Sequence, residues 1–486
     1  MTSIASGDPH FIFRTRDQIV DHLLAVILAN TKKQVGVELE AFVVDQNSNP
    51  ISRKTGQRLF YQLAEHFQNQ GYSVNITTER IGPLAGEAAT KLSIDNVGAV
   101  TIEPGYQFEL ITLPSEQPED VVKNLQLLRA ALIQCSQEIG HTTLFEGYSE
   151  SFADLTPGGI RARDIQWSDY YKTFPDGPQQ TLRRGQYGTA STQITLDSGG
   201  DKFNEYWSAA LLVEPALAIG LRQKPDRLNI IKEGYGKIIP GQVDPITAAW
   251  KAESPRRTLE FIVDRFLDLH VPFVPNNNGI LVPQPLDMDG QPPTVFDLMQ
   301  EGRLTGLALN NIGGFLYSAP ALRNVVYGLM EIRSMDSFPA DSDGSEIKIS
   351  AALALTRNLI YNDKNRRALL DRFAHFSAAE IEFFHRCPAM PNRMTALKAH
   401  IGHNGGSMLI KDVVREIISM GTDDTVSAAM GQNGHARYNG QALRSRPQGS
   451  EAHAAQRWND ALHVQPPFLP SHPTTRFHRA PYALVA

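Results

Sequence analysis

Apolar residues recur along this chain at two periods, and the period switches several times. In residues 16–30, Ile19, Leu23, Leu24, Ile27 and Leu28 fall at helical spacing. In residues 34–44 the period drops to two: Val35, Val37, Leu39 and Ala41 alternate with Gly36, Glu38, Glu40 and Phe42. That is the pattern of a half-buried strand, and successive side chains alternate faces, so Glu38 and Glu40 share the polar one. Residues 58–70 return to helical spacing, with Gly71 as the stop. Residues 93–113 predict two paired strands, 97–102 and 107–111, around a break at Pro104-Gly105, where a bulge or turn is expected. A long helix follows from Pro114-Ser115 to Ile139, with Glu119 and Asp120 near its start and Gly140 at its end.

Further along, residues 143–145 and 190–196 predict strands, and residues 322–333 predict apolar chain entering another. Helices are expected over 203–221, 258–269, 346–361, 365–386 and 407–420. Residues 157–184, rich in Arg, Asp, Gly and Pro, predict a long ordered loop carrying Trp167, Tyr170 and Tyr171. Strands thus come in pieces separated by helices, and no Gly-rich phosphate turn follows any of them. This argues against the P-loop and Rossmann fingerprints and predicts an α+β fold with a mainly antiparallel sheet. Residues 437–486 change character, with six prolines and scattered Arg, His and aromatic residues. They are expected to form a tail that wraps the body or stays loose, which leaves 1–436 as the main domain.

Composition narrows the partners. The chain has 486 residues, 42% of them hydrophobic and 20% charged, as in a globular protein with a large core. Its 46 basic and 52 acidic residues give a net charge of −6, which argues against nucleic acid or an anionic membrane as the partner. No apolar run approaches the roughly 20 residues needed to cross a bilayer. The two cysteines, Cys135 and Cys387, form no disulfide framework, and a cytoplasmic location is expected. His400, His403 and His435 lie near glycines and are expected at the surface rather than on a metal.

The candidate chemistry lies in glutamates. Glu38 and Glu40 occupy one strand face; Glu103 and Glu109 flank the Pro-Gly break; Glu331 stands two residues before Arg333. Carboxylates sharing one face of apolar strands repel unless a cation sits among them, and several hard oxygen donors suit Mg²⁺ or Mn²⁺ held with nucleotide phosphates. Gln107 shares a face with Glu109, and Gln193 lies on a polar strand face. Arg257 opens a helix, where either a substrate contact or a surface ion pair is open to it.

These motifs resemble glutamate–cysteine ligases of the plant and bacterial type. Residues 36–42, Gly-Val-Glu-Leu-Glu-Ala-Phe, resemble that family's first strand motif. Residues 102–110, Ile-Glu-Pro-Gly-Tyr-Gln-Phe-Glu-Leu, resemble its E-P-G-G-Q-F-E-L segment, with Tyr106 in place of a glycine. Residues 189–197 are similar to its T-C-T-V-Q-V-N-L-D strand, with Ala190 and Thr195 differing; Arg257-Thr258 echoes its D-P-x-R-T-G segment, and residues 331–336 its E-x-R-x-x-D motif. The resemblance implies a glutamine-synthetase type of site, a curved antiparallel sheet forming a funnel for ATP, metal and glutamate, with helices on its outer side. It implies Glu38, Glu40, Glu103, Glu109 and Glu331 as metal ligands, Arg333 as the catalytic group, and Gln107, Gln193 and Arg257 as substrate contacts. The implied reaction activates the γ-carboxylate of glutamate with ATP and joins it to the amine of cysteine, the first step towards glutathione-type thiols. The alternatives are a ligase of the same chemistry with another acceptor or acid, a phosphotransferase on the same sheet, and an inactive homologue used for binding. The partners expected are ATP, glutamate and an amino-acid acceptor, the last bound by walls built from residues 157–187.

Overall fold

A computed structural model describes residues 10–80, 87–103, 106–153, 169–221, 226–231, 244–276, 281–287, 291–313, 320–323, 328–337, 345–390, 393–403 and 406–422. The tail expected at 437–486, together with Trp167 and His435, lies outside them. The strands are β1 Val35–Val44, β2 Val74–Arg80, β3 Glu87–Ile94, β4 Gly98–Ile102, β5 Phe108–Thr112, β6 Thr142–Leu144 and β7 Ser191–Asp197. They continue as β8 Phe273–Pro275, β9 Leu281–Pro283, β10 Ala321–Arg323, β11 Leu329–Asp336, β12 His400–His403 and β13 Gly406–Leu409. One nine-stranded sheet runs in the order β10-β11-β7-β1-β5-β4-β3-β2, with β6 also pairing β1. The described pairings are all antiparallel, as the sequence pattern predicts for an α+β fold.

The strand β1 lies inside the sheet, between β7 and β5, and its two faces differ. Val35, Val37, Leu39 and Ala41 are buried against helices, and their alternation with the glutamates fixes the register. Helices α2 Arg53–Asn69 and α3 Pro118–Glu138 pack on the sheet, and α1 Arg16–Ala29 packs on the helix Pro255–Leu267. Thr15 caps α1 in a reciprocal box with Gln18, Ser52 caps α2, and Pro118 opens α3 ahead of Glu119 and Asp120. The helix after β7, Phe203–Leu221, is buried from Tyr206 to its end among the sheet and the helices Pro255–Leu267, Ser345–Tyr361, Asp363–Arg372, Ala378–Arg386 and Ile410–Thr422. Inside it Pro215 removes one hydrogen bond and frees the Leu211 carbonyl. The buried His385 takes that carbonyl, with Nε2 at 2.7 Å, so the imidazole carries its proton there.

Several sequence expectations change. The loop expected at 157–184 contains a helix, Asp176–Tyr187, whose apolar positions are only Leu182 and Tyr187 and so give little periodic signal. The helix expected from residue 407 begins at Ile410, because residues 406–409 pair with β12 as a hairpin. The helix expected over 365–386 is two, since Ser377 starts a new one in a capping box with Glu380. Strand β2 and most of β3 had no clear reading in the sequence. No described helix is long and apolar enough to cross a membrane.

Candidate active site

Glutamates gather on the polar face of the sheet. Glu40 of β1 stands directly opposite Glu109 of β5, and Glu38 opposite Gln193 of β7. Two residues along β7, Thr195 stands opposite Glu331 of β11, which puts Glu331 on the same face. Glu103 follows β4 at the mouth of the β4–β5 turn, close enough for its charge to act on Glu40. Like charges opposed across strands repel. Burial first, and then Glu109 and Glu331, push the Glu38 carboxyl well above its usual range, while Arg323 and Arg333 pull it back. Glu40 is pushed up to about 8, again by burial first and Glu109 next, against the pull of Arg227.

Glu40, Glu109 and Glu331 each have a protein partner at hand. Glu40 accepts from the Ser191 backbone N–H at 2.7 Å and from Gln193 Nε2 at 3.1 Å. Thr101 Oγ1 donates to Glu109 at 2.8 Å. Glu331, 2% exposed, meets Arg323 Nε at 3.0 Å and Arg333 Nε at 2.9 Å. Both approach the same oxygen without the alignment of a hydrogen bond, so this is a charge contact and not a fork-to-fork pair. Glu38 has no hydrogen-bond partner among the described residues; it is held by its neighbours' charges alone.

The turn between β4 and β5 explains a departure from the family pattern. Tyr106, standing where the resembling motif has glycine, has φ of +63°. Only glycine takes that conformation freely; other residues lose about 1–2 kcal/mol. The Tyr106 N–H closes the turn on the Glu103 carbonyl at 2.9 Å, and its ring is buried, which offsets the strain.

Two expected substrate contacts are engaged elsewhere. Gln107 is buried, and its amide nitrogen donates to the carbonyls of Tyr187, Thr189 and Gln186 at 2.9, 3.0 and 3.2 Å. Its amide nitrogen thus braces the sheet against the helix end at Tyr187, while its Oε1 is buried without a hydrogen-bond partner among the described residues. Arg257 pairs with Glu260 at 2.6 Å and lies 4.2 Å over the Phe261 ring, on a helix that packs on α1, so the ion-pair reading is the one the geometry gives. Gln193 does sit in the cluster, with its Oε1 buried and without a hydrogen-bond partner. The walls expected from 157–187 change as well. Tyr170 and Tyr171 are core residues packed on Phe174, Phe273 and Tyr187, and Arg184 is bound to Glu150 at 2.9 Å. Arg161, Arg163 and Trp167 lie outside the described residues.

Sequence reasoning missed Arg323, Arg227 and Glu214. Glu214 is fully buried, and its Oε1 accepts from the backbone N–H of Arg333 at 2.8 Å and from the Ser334 N–H and hydroxyl at 2.9 and 2.8 Å. Burial pushes it up to about 7 against those bonds. A signal was present: Glu214 is the lone charge in the apolar run 209–221, and buried charges are rare without a partner. Arg227 and Arg323 carry no such signal.

The donor set fits a hard divalent cation in kind: carboxylate oxygens only, more negative than two arginines balance. It is not drawn into a closed cage, since no three His, Cys, Asp or Glu side chains among the described residues are set to hold an ion.

The model of glutamate-cysteine ligase family 2 matches residues 34–220 of the chain. That stretch holds Glu38, Glu40, Glu103, Gln107, Glu109 and Gln193, while Arg257, Glu331 and Arg333 lie beyond it. The family resemblance expected from the motifs is thus borne out. No curated protein matches the chain. Among solved structures, one from the complex between prokaryotic ubiquitin-like protein Pup and its ligase PafA is similar at 10% identity and a TM-score of 0.33, over 90% of this chain and 64% of that one. A glutamine synthase homolog is similar at 12% identity and a TM-score of 0.27, over 84% of this chain and 75% of its own. The chain therefore spans less than two thirds of the first of these.

Proposed function

We propose that the chain is an ATP-dependent carboxylate–amine ligase that activates the γ-carboxylate of glutamate and joins it to the amine of cysteine. The observation that carries this reading is the single sheet face on which Glu38, Glu40, Glu109 and Glu331 meet beside Arg323 and Arg333, taken with the family match. A carboxylate oxygen attacks the γ-phosphorus of ATP, the bond to the β-phosphate oxygen breaks, and ADP leaves. The amine then attacks the acyl carbon, phosphate leaves, and the amine proton is lost as the amide forms. Such chemistry asks the protein for positioning and charge, not covalent work. Glu38, Glu40, Glu103, Glu109 and Glu331 are the residues that would hold Mg²⁺ or Mn²⁺, which when bound neutralises phosphate charge. Gln193 keeps Glu40 oriented. Arg333, anchored by charge to Glu331, is the donor for the transferring phosphoryl group, and its planar fork suits phosphate better than a lysine would. The chain would act on small molecules in the cytoplasm, where two buried cysteines outside any disulfide are at home.

The test is a mass-spectrometric screen of amino acids and amines with ATP, Mg²⁺ and glutamate. γ-Glutamylcysteine formed with stoichiometric ADP and phosphate supports the reading. An amide with another amine or acid keeps the chemistry and replaces the substrate. A phosphorylated acceptor with no amide would mean a phosphotransferase instead.

A further inference from the structure

Strand β11 carries an irregularity between Ile332 and Met335, where its register to β7 shifts. Arg333 and Ser334 are the residues inside it. A bulge takes backbone groups out of the ladder, and buried groups without partners are costly. Here two buried side chains serve them. Glu214 Oε1, from the helix Phe203–Leu221, accepts both freed N–H groups and the Ser334 hydroxyl. Arg227, 5% exposed, donates to the carbonyls of Arg333 at 3.2 Å and Met335 at 3.1 Å. The acid therefore holds the donors of the bulge and the base holds its acceptors. The acid's own place is fixed in turn, because the next residue is Pro215 and the carbonyl it frees is bound by His385.

We propose that Glu214 and Arg227 are positioning residues for Arg333, clamping the β11 bulge so that the guanidinium leaves the strand beside Glu331 at the angle the phosphoryl group requires. Glu214 touches no substrate; it acts through the Arg333 backbone. A buried charge kept only for stability is a poor bargain, since a well-packed apolar residue often does as well. Glu214 instead lies at the spot where a fixed acceptor sets the direction of a neighbouring side chain. The inference rests on the ligase reading for its catalytic consequence and on the bulge alone for its structural one.

The experiment separates the two. Glu214→Leu keeps volume and removes the acceptor; Glu214→Gln keeps an oxygen; Arg227→Gln loosens the other side of the clamp. Hydrogen–deuterium exchange of the β11 peptide should speed up by about 10-fold or more in Glu214→Leu, the scale set by losing a charge-assisted hydrogen bond. Glutamate-dependent ADP release should fall about 10- to 100-fold in kcat, as for a slightly misplaced catalytic group, with KM for ATP within about 3-fold. Glu214→Gln should recover kcat to within about 3-fold, since its oxygen still accepts. On an Arg333→Ala background, Glu214→Leu should add less than about 2-fold, because residues acting as a unit are non-additive. Unchanged exchange, wild-type kcat, or a fully multiplicative double variant would overturn the proposal. Should Glu214→Leu fail to fold, Arg227→Gln carries the same readouts. A wild-type protein that releases no ADP with glutamate would remove the ligase reading, and exchange alone would then decide the clamp.

Discussion

Two of the charge clusters among the described residues are built on opposite rules. The first surrounds Arg366, which is fully buried beneath Tyr206. Its guanidinium binds Glu205 and Asp363 at 2.8 and 2.7 Å and the Ile360 carbonyl at 2.8 Å, and Lys202 closes on Asp363 at 2.7 Å. Opposite charges alternate there, and hydrogen bonds from Lys202 and Arg366 hold the Asp363 carboxyl well below its usual range. The second is the sheet face, where glutamates outnumber arginines and both Glu38 and Glu40 are pushed upward. The first cluster stabilises the fold. The second works against it, and a protein keeps such an arrangement where a ligand will supply the missing positive charge. The contrast teaches that the sign of the acidity shift, more than the number of ion pairs, separates a structural cluster from a candidate site.

The sharpest way to break that contrast is Arg333→Ala. Turnover should drop by about 100-fold or more with the fold intact, as when one transition-state donor is lost, and lysine should restore only part of it. Steady-state ADP release and circular dichroism check this; wild-type turnover in a folded variant removes Arg333 from the chemistry. Arg366→Ala should do the reverse, removing about 3 kcal/mol of stability by breaking a buried pair while kcat per folded molecule holds. Urea unfolding measures it.

The pH response sharpens the comparison further. In the folded chain Glu40 titrates near 8, above the 4.5 of an ordinary glutamate, so between those values the folded state holds more protons than the unfolded one. Stability without divalent ions should therefore fall as pH rises from about 5 to 8. Glu40→Gln should flatten that fall, and Mg²⁺ with ATP should oppose it in the wild type. Asp363 predicts the opposite sign, because its folded value is depressed: its contribution is full above about 4 and is lost as pH drops below that. Thermal melts across pH, for wild type, Glu40→Gln and Asp363→Asn, decide both. A wild-type stability that rises from pH 5 to 8 would refute the account of the sheet face.

The smallest effect concerns thiols. Cys135 and Cys387 are both buried and unpaired with each other, and burial pushes the Cys135 thiol up to about 11. Activity should be indifferent to reductant. A loss on mild oxidation that dithiothreitol reverses and Cys135→Ser abolishes would contradict this.

Part of the sheet was legible because in β1 and β5 fully buried positions alternate with half-buried ones, and a period of two survives in the letters. The same alternation put Glu38 and Glu40 on one side, and the Pro-Gly break marked the turn that carries Glu103. Where burial is complete the signal vanishes: the helix Phe203–Leu221 is apolar all round, so nothing in its period says which way Glu214 points. Where an element is mostly polar it vanishes too, as in Asp176–Tyr187.

The sequence by itself determined the alternation of β1, the antiparallel α+β plan, the family motifs and the residue types of the site, because these follow from local periodicity and short spacing. Only the tertiary structure decided which strand neighbours which, and with it the meeting of residues as far apart as Glu38 and Glu331. It also decided that Gln107 braces a helix end, that Arg257 belongs to a surface pair, and that a glutamate and an arginine from separate helices hold the β11 bulge. Register across a sheet and side-chain partners across hundreds of residues depend on which surfaces pack together, and no local pattern records that choice.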